Sequence, residues 1–311
     1  YGVTLFGNKS ESVTATLVVK GEINAYCAAV SGNGTYWGTD ITLEDGAVLT
    51  STDSVAVYHP QKGTLTIKGA TITGKGGIEA KSGDSVVTVE NATITATAEP
   101  DHSASSSGTS TEGYAVAVVE NSAYQGAPSF TINNGSFYGP ISLLEDNQVA
   151  ADNAGRITVK GGSFTDLVGA VKYAASGAEI KLLDDVTLTQ SLQVTAGQKL
   201  TIDLDGHKIS AALKGPHMIC NAGDLTITDS SAAKTGEIAK TGDPADYGYV
   251  IENHGTMKLE SCKISSTSIQ SSAIENGWYN PGQNIAGTNC TMTIQDAEVV
   301  SVNAEGGLYT I

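Results

Sequence analysis

The stretch "LTIKGATIT" at residues 65–73 is answered by "VTVENATIT" at residues 87–95, a return of the same phrase after 22 residues. Two apolar residues spaced two apart face one side of a strand. A turn-former follows two residues later, and a further apolar residue comes five after the second. The phrase occurs eight times, with first apolar positions Leu65, Val87, Phe130, Ile157, Ile202, Leu225, Met257 and Met292 and second positions Ile67, Val89, Ile132, Val159, Leu204, Ile227, Leu259 and Ile294. The turn position holds Gly69, Asn91, Asn134, Gly161, Gly206, Asp229, Ser261 and Asp296, small residues that suit a bend. The returning side chains are Ile72, Ile94, Phe137, Phe164, Ile209, Ala232, Ile264 and Val299, of which Ala232 is the smallest.

Strand, corner and strand repeated in this way predict an all-β fold, a right-handed parallel β-helix whose coils stack and bury one inward row. The strand centres lie 22, 43, 27, 45, 23, 32 and 35 residues apart, against a usual solenoid repeat of roughly 20 to 30 residues. The two longest intervals therefore hide an extra coil or an insertion. An antiparallel sandwich also alternates apolar and polar residues, but it has no reason to repeat one corner chemistry at one offset. Composition agrees, with 16% charged and 6% aromatic residues and none of the seven prolines inside a phrase.

"SFTDLVGAVKYAASGAEIKLL", residues 163–183, breaks the pattern. Ser163 or Thr165 as N-cap, apolar residues at 167, 168, 171, 174 and 175, and Gly177 as a stop predict a short helix near 165–176. A helix laid across an open solenoid end protects it from edge pairing, so the expectation is a capping helix between two segments, 1–165 and 166–311. One continuous solenoid interrupted by a helical insertion is the alternative.

Residues 167–210, "LVGAVKYAASGAEIKLLDDVTLTQSLQVTAGQKLTIDLDGHKIS", resemble the opening of pectin-lyase-like β-helix modules in large secreted surface proteins of gut-type bacteria. "YVIENHGTMKLESCKI" (249–264) and "SAIENGW…CTMTIQDAEV" (272–299) are similar to the coils that follow. The resemblance implies extracellular display, adhesion in many members and polysaccharide cleavage in others. Strand-like sequence at residue 1 and a pattern broken off at "EGGLYTI" lead us to expect a longer natural chain.

A net charge of −16 argues against nucleic acid and anionic membrane surfaces as partners, because no basic patch is present to neutralise phosphates. No stretch has the length of a membrane span. The four cysteines, Cys27, Cys220, Cys262 and Cys290, show no metal spacing and read as free, buried thiols. Five Asn-x-Ser/Thr triplets, at Asn8, Asn33, Asn91, Asn134 and Asn289, read as turns in a bacterial protein. Asp184–Asp185 and Asp203 with Asp205 offer oxygen ligands that suit calcium, although Asp205 also belongs to a corner. No other cofactor is expected.

Lyases and polygalacturonase-like hydrolases of this fold need basic and acidic clusters that a chain with the single arginine Arg156 lacks. The best catalytic candidates are Asp203, Asp205 and His207, spaced two apart on one strand. A binding role draws instead on the polar insertions at 97–114, 122–128, 240–248 and 277–289, which fall at two corners. The last carries "NGWYNPGQN", where Trp278 and Tyr279 can stack on sugar rings while Asn280, Gln283 and Asn284 reach hydroxyls. Tyr247, Tyr249, Tyr36 and Trp37 complete the candidate set. The expectation is a surface module for adhesion, glycan or host-protein binding, or a stalk, with a carbohydrate-active enzyme as the second reading.

Overall fold

A computed structural model describes residues 1–7, 14–34, 38–81, 84–105, 107–121, 128–146, 156–215, 217–242, 247–268, 272–277 and 289–301. The chain divides into two compact units, Tyr1–Gly169 and Ala170–Ile311. In the first unit, strands from successive coils form three parallel stacks. One contains Val3–Leu5, Val30–Gly32, Val55–His59, Gly76–Lys81, Val116–Asn121 and Ile141–Asp146. A second contains Ala15–Val19, Thr39–Leu43, Gly63–Lys68, Ser85–Glu90, Ser129–Ile132 and the start of Ile157–Phe164. The third contains Glu22–Ala25, Val48–Ser51, Thr71–Gly74, Ala92–Ala96, Gly135–Tyr138 and the end of Ile157–Phe164. A chain that visits three parallel stacks in turn is a parallel β-helix. The second unit repeats the plan with stacks that begin at Ala174–Leu182, Val186–Thr187 and Leu192–Val194.

The first unit keeps the register that the phrase implies. Leu65, Val87, Phe130 and Ile157 lie in one row, Ile67, Val89, Ile132 and Val159 in the next, and Ile72, Ile94, Phe137 and Phe164 in the third. All twelve are buried, and the Phe137 and Phe164 rings stack at 5.1 Å. Two earlier coils join the same rows through Leu17 and Ile41, then Val19 and Leu43. Their corners are one residue shorter and one longer than the phrase allows, since the returning residues are Ile23 and Leu49.

The second unit corrects two assignments. Leu200 pairs with Leu225 and Ile202 with Ile227, so the inward pair of the fifth phrase is Leu200 and Ile202, two residues earlier than Ile202 and Leu204. Leu204 is nevertheless buried, because that corner is wider and turns through Asp205 and Gly206, at φ 47° and 86°. Ile238, not Ala232, is the returning residue, in register with Ile209, Ile264 and, through Ile264, Val299. The corner between is held by the buried Asp229, which accepts N–H bonds from Gly206, Ser231 and Gly236 at 2.9, 2.9 and 2.6 Å. Burial works against the Asp229 charge, but these bonds outweigh it and hold the carboxyl below its ordinary value.

The interval of 43 residues is an insertion, since Ser85–Glu90 and Ser129–Ile132 pair directly. The interval of 45 contains an extra coil, for Ala174–Leu182 precedes Lys199–Asp203 and pairs with it, Ile180 beside Ile202. The helix is shorter than expected, Leu167–Lys172. Asp166 takes the N-cap place of Ser163 or Thr165, accepting the Gly169 N–H at 2.9 Å, while Ser163 lies within a strand, paired with Ser136. Gly177 does not stop the helix; it lies inside Ala174–Leu182 at φ 94°, because sheet pairing claims the backbone there.

Left-handed backbone marks the corners at Gly69, Asn91, Gly206, Ser261 and Asp296. In the coils of Asn134 and Gly161 it falls one residue later, on Gly135 (φ 136°) and Gly162 (φ 132°). A Cβ on Gly135 meets the Ala92 carbonyl oxygen at 2.6 Å. Gly135→Val is therefore expected to destabilise by about 1–3 kcal/mol in urea titration, whereas Asn91→Gly, which keeps its backbone bond, stays within about 0.5 kcal/mol.

One interior residue ties stability to pH. His59, in register with Ala80, is fully buried, and neither ring nitrogen has a hydrogen-bond partner among the described residues. Burial pushes its pKa down from 6.5 to about 4, so the fold holds it neutral. The unfolded chain protonates first as pH falls, so stability contributed above pH 6.5 is lost between pH 6.5 and 4. The loss amounts to about 3 kcal/mol. His59→Leu should flatten that limb of the stability curve; an unchanged slope would show that other groups carry it.

Candidate functional site

In the second unit, Leu192–Val194, Ile219–Asn221, Ile251–Asn253 and Ile274–Asn276 form a parallel stack with a polar outer surface. Alternation sends Leu192, Ile219 and Ile251 inward. Gln193, Cys220, Glu252 and Glu275 fall in one register row between the inward positions, on the outer side. At the end of the last three strands an asparagine turns the coil. Asn221 Nδ2 donates to Asn253 Oδ1 at 2.7 Å and Asn253 Nδ2 to Asn276 Oδ1 at 2.6 Å, a ladder that fixes the spacing of the row above it.

Glu252 is the centre of the outer surface. Its Oε1 lies 3.5 Å from His217 Nε2 and 3.5 Å from His254 Nε2, and the carboxylate is only partly exposed. The His217 ring stacks on Tyr249 at 5.0 Å and 11°, and its Nδ1 accepts the Tyr249 backbone N–H at 3.0 Å. That bond puts the proton of a neutral His217 on Nε2, aimed at Glu252. Nε2 is then a donor, which disfavours metal ligation through it. Cys220 sits beside Glu252; burial first, then the neighbouring carboxylate, raises its thiol to about 11, so it is a protonated side chain and no nucleophile at neutral pH. A polar groove continues past His254, lined by Gln198, Lys199, Asp224 and Asn289.

Tyr247, two residues before Tyr249, is 70% exposed. Tyr249 belongs to the site, through its stack on His217. Trp278, Tyr279, Asn280, Gln283, Asn284, Tyr36 and Trp37 lie outside the described residues. Asp203 and Asp205 are committed to their corner. Asp203 accepts the N–H groups of Asp205 and Ser230 and the Ser230 hydroxyl, and Asp205 pairs with Lys181 at 2.9 Å. His207 turns away to Asp185, 3.6 Å from its Oδ1. Donor atoms of Asp184, Asp185 and His207 come within 4.8 Å of one another, with both aspartates exposed.

The residues missed from sequence are His217, Cys220, Glu252, His254 and Glu275. Their signal was the recurring "ICNAG", "IENHG" and "IENG", in which the residue before each asparagine faces out. None of the four cysteines is in a disulfide, and only Cys262 is buried. No described helix is long and apolar enough to cross a membrane. No family model, curated protein or solved structure matches the chain.

Proposed function

We propose that this protein is an extracellular bacterial surface module whose second unit binds glycan on the outer face around Glu252. The supporting observation is Glu252 itself, an acceptor carboxylate held between two imidazoles, one of them stacked on Tyr249, on a firmly registered polar sheet. Sugar recognition needs fixed acceptors and donors for hydroxyl pairs with an aromatic surface for the ring. Gln193, Glu252, Glu275 and the exposed Tyr247 offer these, and in sequence the insertion at 240–248 precedes Ile251–Asn253 while that at 277–289 follows Ile274–Asn276. A chain of net charge −16 favours neutral or amino sugars over uronates. Resemblance of residues 167–210 to secreted surface modules supports display outside the cell, in adhesion or as a stalk.

A broad glycan array tests this reading. The protein should be retained on a defined set of neutral or amino-sugar glycans. Glu252→Gln and Tyr247→Ala should each lower retention at least about tenfold, because a buried-edge hydrogen bond and a stacking surface are each worth about 1.4 kcal/mol or more. Their melting temperatures should stay close to that of the parent. An array without hits favours a host protein as partner, or a stalk. A second reading, glycoside cleavage, draws on Glu252 and Glu275 side by side on neighbouring strands. It requires new reducing ends from a polysaccharide and their loss in Glu275→Gln.

A further inference from the structure

The first unit contains a group of charges with no access to water. Lys81, Glu79 and Asp146 are each fully buried. Glu79 and Lys81 project from one side of Gly76–Lys81, and Asp146 ends Ile141–Asp146, with Val116–Asn121 lying between those strands. Lys81 thus reaches across a whole coil. Its Nζ lies 2.6 Å from Asp146 Oδ2 and 3.9 Å from Glu79 Oε1, and it donates to the Gly108 carbonyl at 3.0 Å.

The insertion at 97–114 seals the group from outside. Ser110 and Thr111 give Glu79 two backbone N–H groups and two hydroxyls. His102 Nε2 is 2.6 Å from Asp146 Oδ1, and Asn121 Nδ2 donates to Asp146 Oδ2 at 3.5 Å. Other lysine pairs of the chain, such as Lys75–Asp53 and Lys208–Glu237, keep contact with solvent. An amine and a carboxyl held together in a dry site meet a desolvation cost that opposes the charged pair, although the bonds from Lys81 and His102 hold the Asp146 carboxyl below its ordinary value. The two groups also gain the large effective concentration of a preorganised intramolecular reaction.

We propose that Lys81 and Asp146 join covalently, through an amide between Nζ and Cγ that the folded chain forms by itself. The step is a condensation. The Nζ–Cγ bond forms, one Cγ–O bond breaks, and the departing oxygen leaves as water with two of the three ammonium protons. No oxidant, reductant or cofactor takes part. Glu79 is placed to relay a proton from the amine, and burial raises its carboxyl against the opposing bonds from Thr111 and Ser110, which suits that exchange. His102 faces Oδ1, the oxygen that leaves, and Asn121 polarises Oδ2, which stays as the amide carbonyl. The bond staples the coil of Lys81 to that of Asp146 past the coil between them, so that peeling these coils apart requires breaking a covalent bond.

Intact-mass measurement of the purified, folded chain decides the matter without any variant. The expected mass is one water below that of the sequence, and a digest should yield one branched peptide joining Lys81 to Asp146. Lys81→Arg should restore the full mass, and Glu79→Gln should leave a large fraction of chains unlinked. A parent chain at its full sequence mass overturns the proposal. So does a water loss that persists in Lys81→Arg, since dehydration elsewhere then accounts for it.

Discussion

Asn253→Ala should destabilise the second unit by about 3–5 kcal/mol, read as a lower urea midpoint with an unchanged slope. Asn253 is fully buried at the middle of the ladder. Its Nδ2 donates to Asn276 Oδ1 at 2.6 Å and to the carbonyls of Gly255 and Thr291 at 3.2 Å. Its Oδ1 accepts from Asn221 Nδ2 at 2.7 Å and from the Gly255 N–H at 3.2 Å. Alanine deletes all of these, and the donors left behind lie where water does not compensate them. The same change at Asn276, which is exposed at the end of the described ladder, should cost no more than about 1 kcal/mol. Equal losses at both positions would mean that the ladder is not a cooperative element. Because the ladder sets the row that holds Glu252, Asn253→Ala should also weaken glycan retention, whereas Asn276→Ala should not.

Phe137→Ala in the first unit should cost about 3–5 kcal/mol, and Phe137→Leu no more than about 1.5 kcal/mol. Phe137 has no solvent exposure, follows Ile94 in its inward row and stacks on Phe164 at 5.1 Å. A solenoid core is one side chain deep in each coil, so neighbours above and below cannot slide in to fill the gap without breaking strand register. Removing Phe164 as well should cost less than the sum of the two single losses, because the second ring has already lost its stacking partner. Strict additivity in thermal or urea unfolding would contradict the packing described here.

The fold was legible because its information is periodic. Leu65, Val87, Phe130 and Ile157 announce an inward row by spacing alone, and sheet pairing enforces the same spacing in space. Legibility failed where a corner changed length. A fixed offset points to Ala232 as the inward residue because it cannot count through the wide turn that Asp229 holds, and Ile238 lies six residues further on. The helix was overread for a related reason: residues 174 and 175 suit either period, and long-range pairing decided for the sheet. The site was less legible than the fold. Tyr247 and Tyr249 stood out as aromatics in polar surroundings, but His217 and Glu252 lie 35 residues apart in sequence and meet only because the coils between them stack. The buried Lys81, Glu79 and Asp146 gave no signal, since a charge in an alternating strand ordinarily faces water and only the insertion at 97–114 covers this one.

Hydrogen exchange with and without the oligosaccharide most strongly retained on the array tests the functional account most directly. Slowed exchange should concentrate on the described amides of 217–222 and 247–255, with little change across Tyr1–Gly169 or around Asp203 and Asp205. Protection confined to the first unit or to the acidic corner, or no oligosaccharide that slows exchange around Glu252, would contradict it.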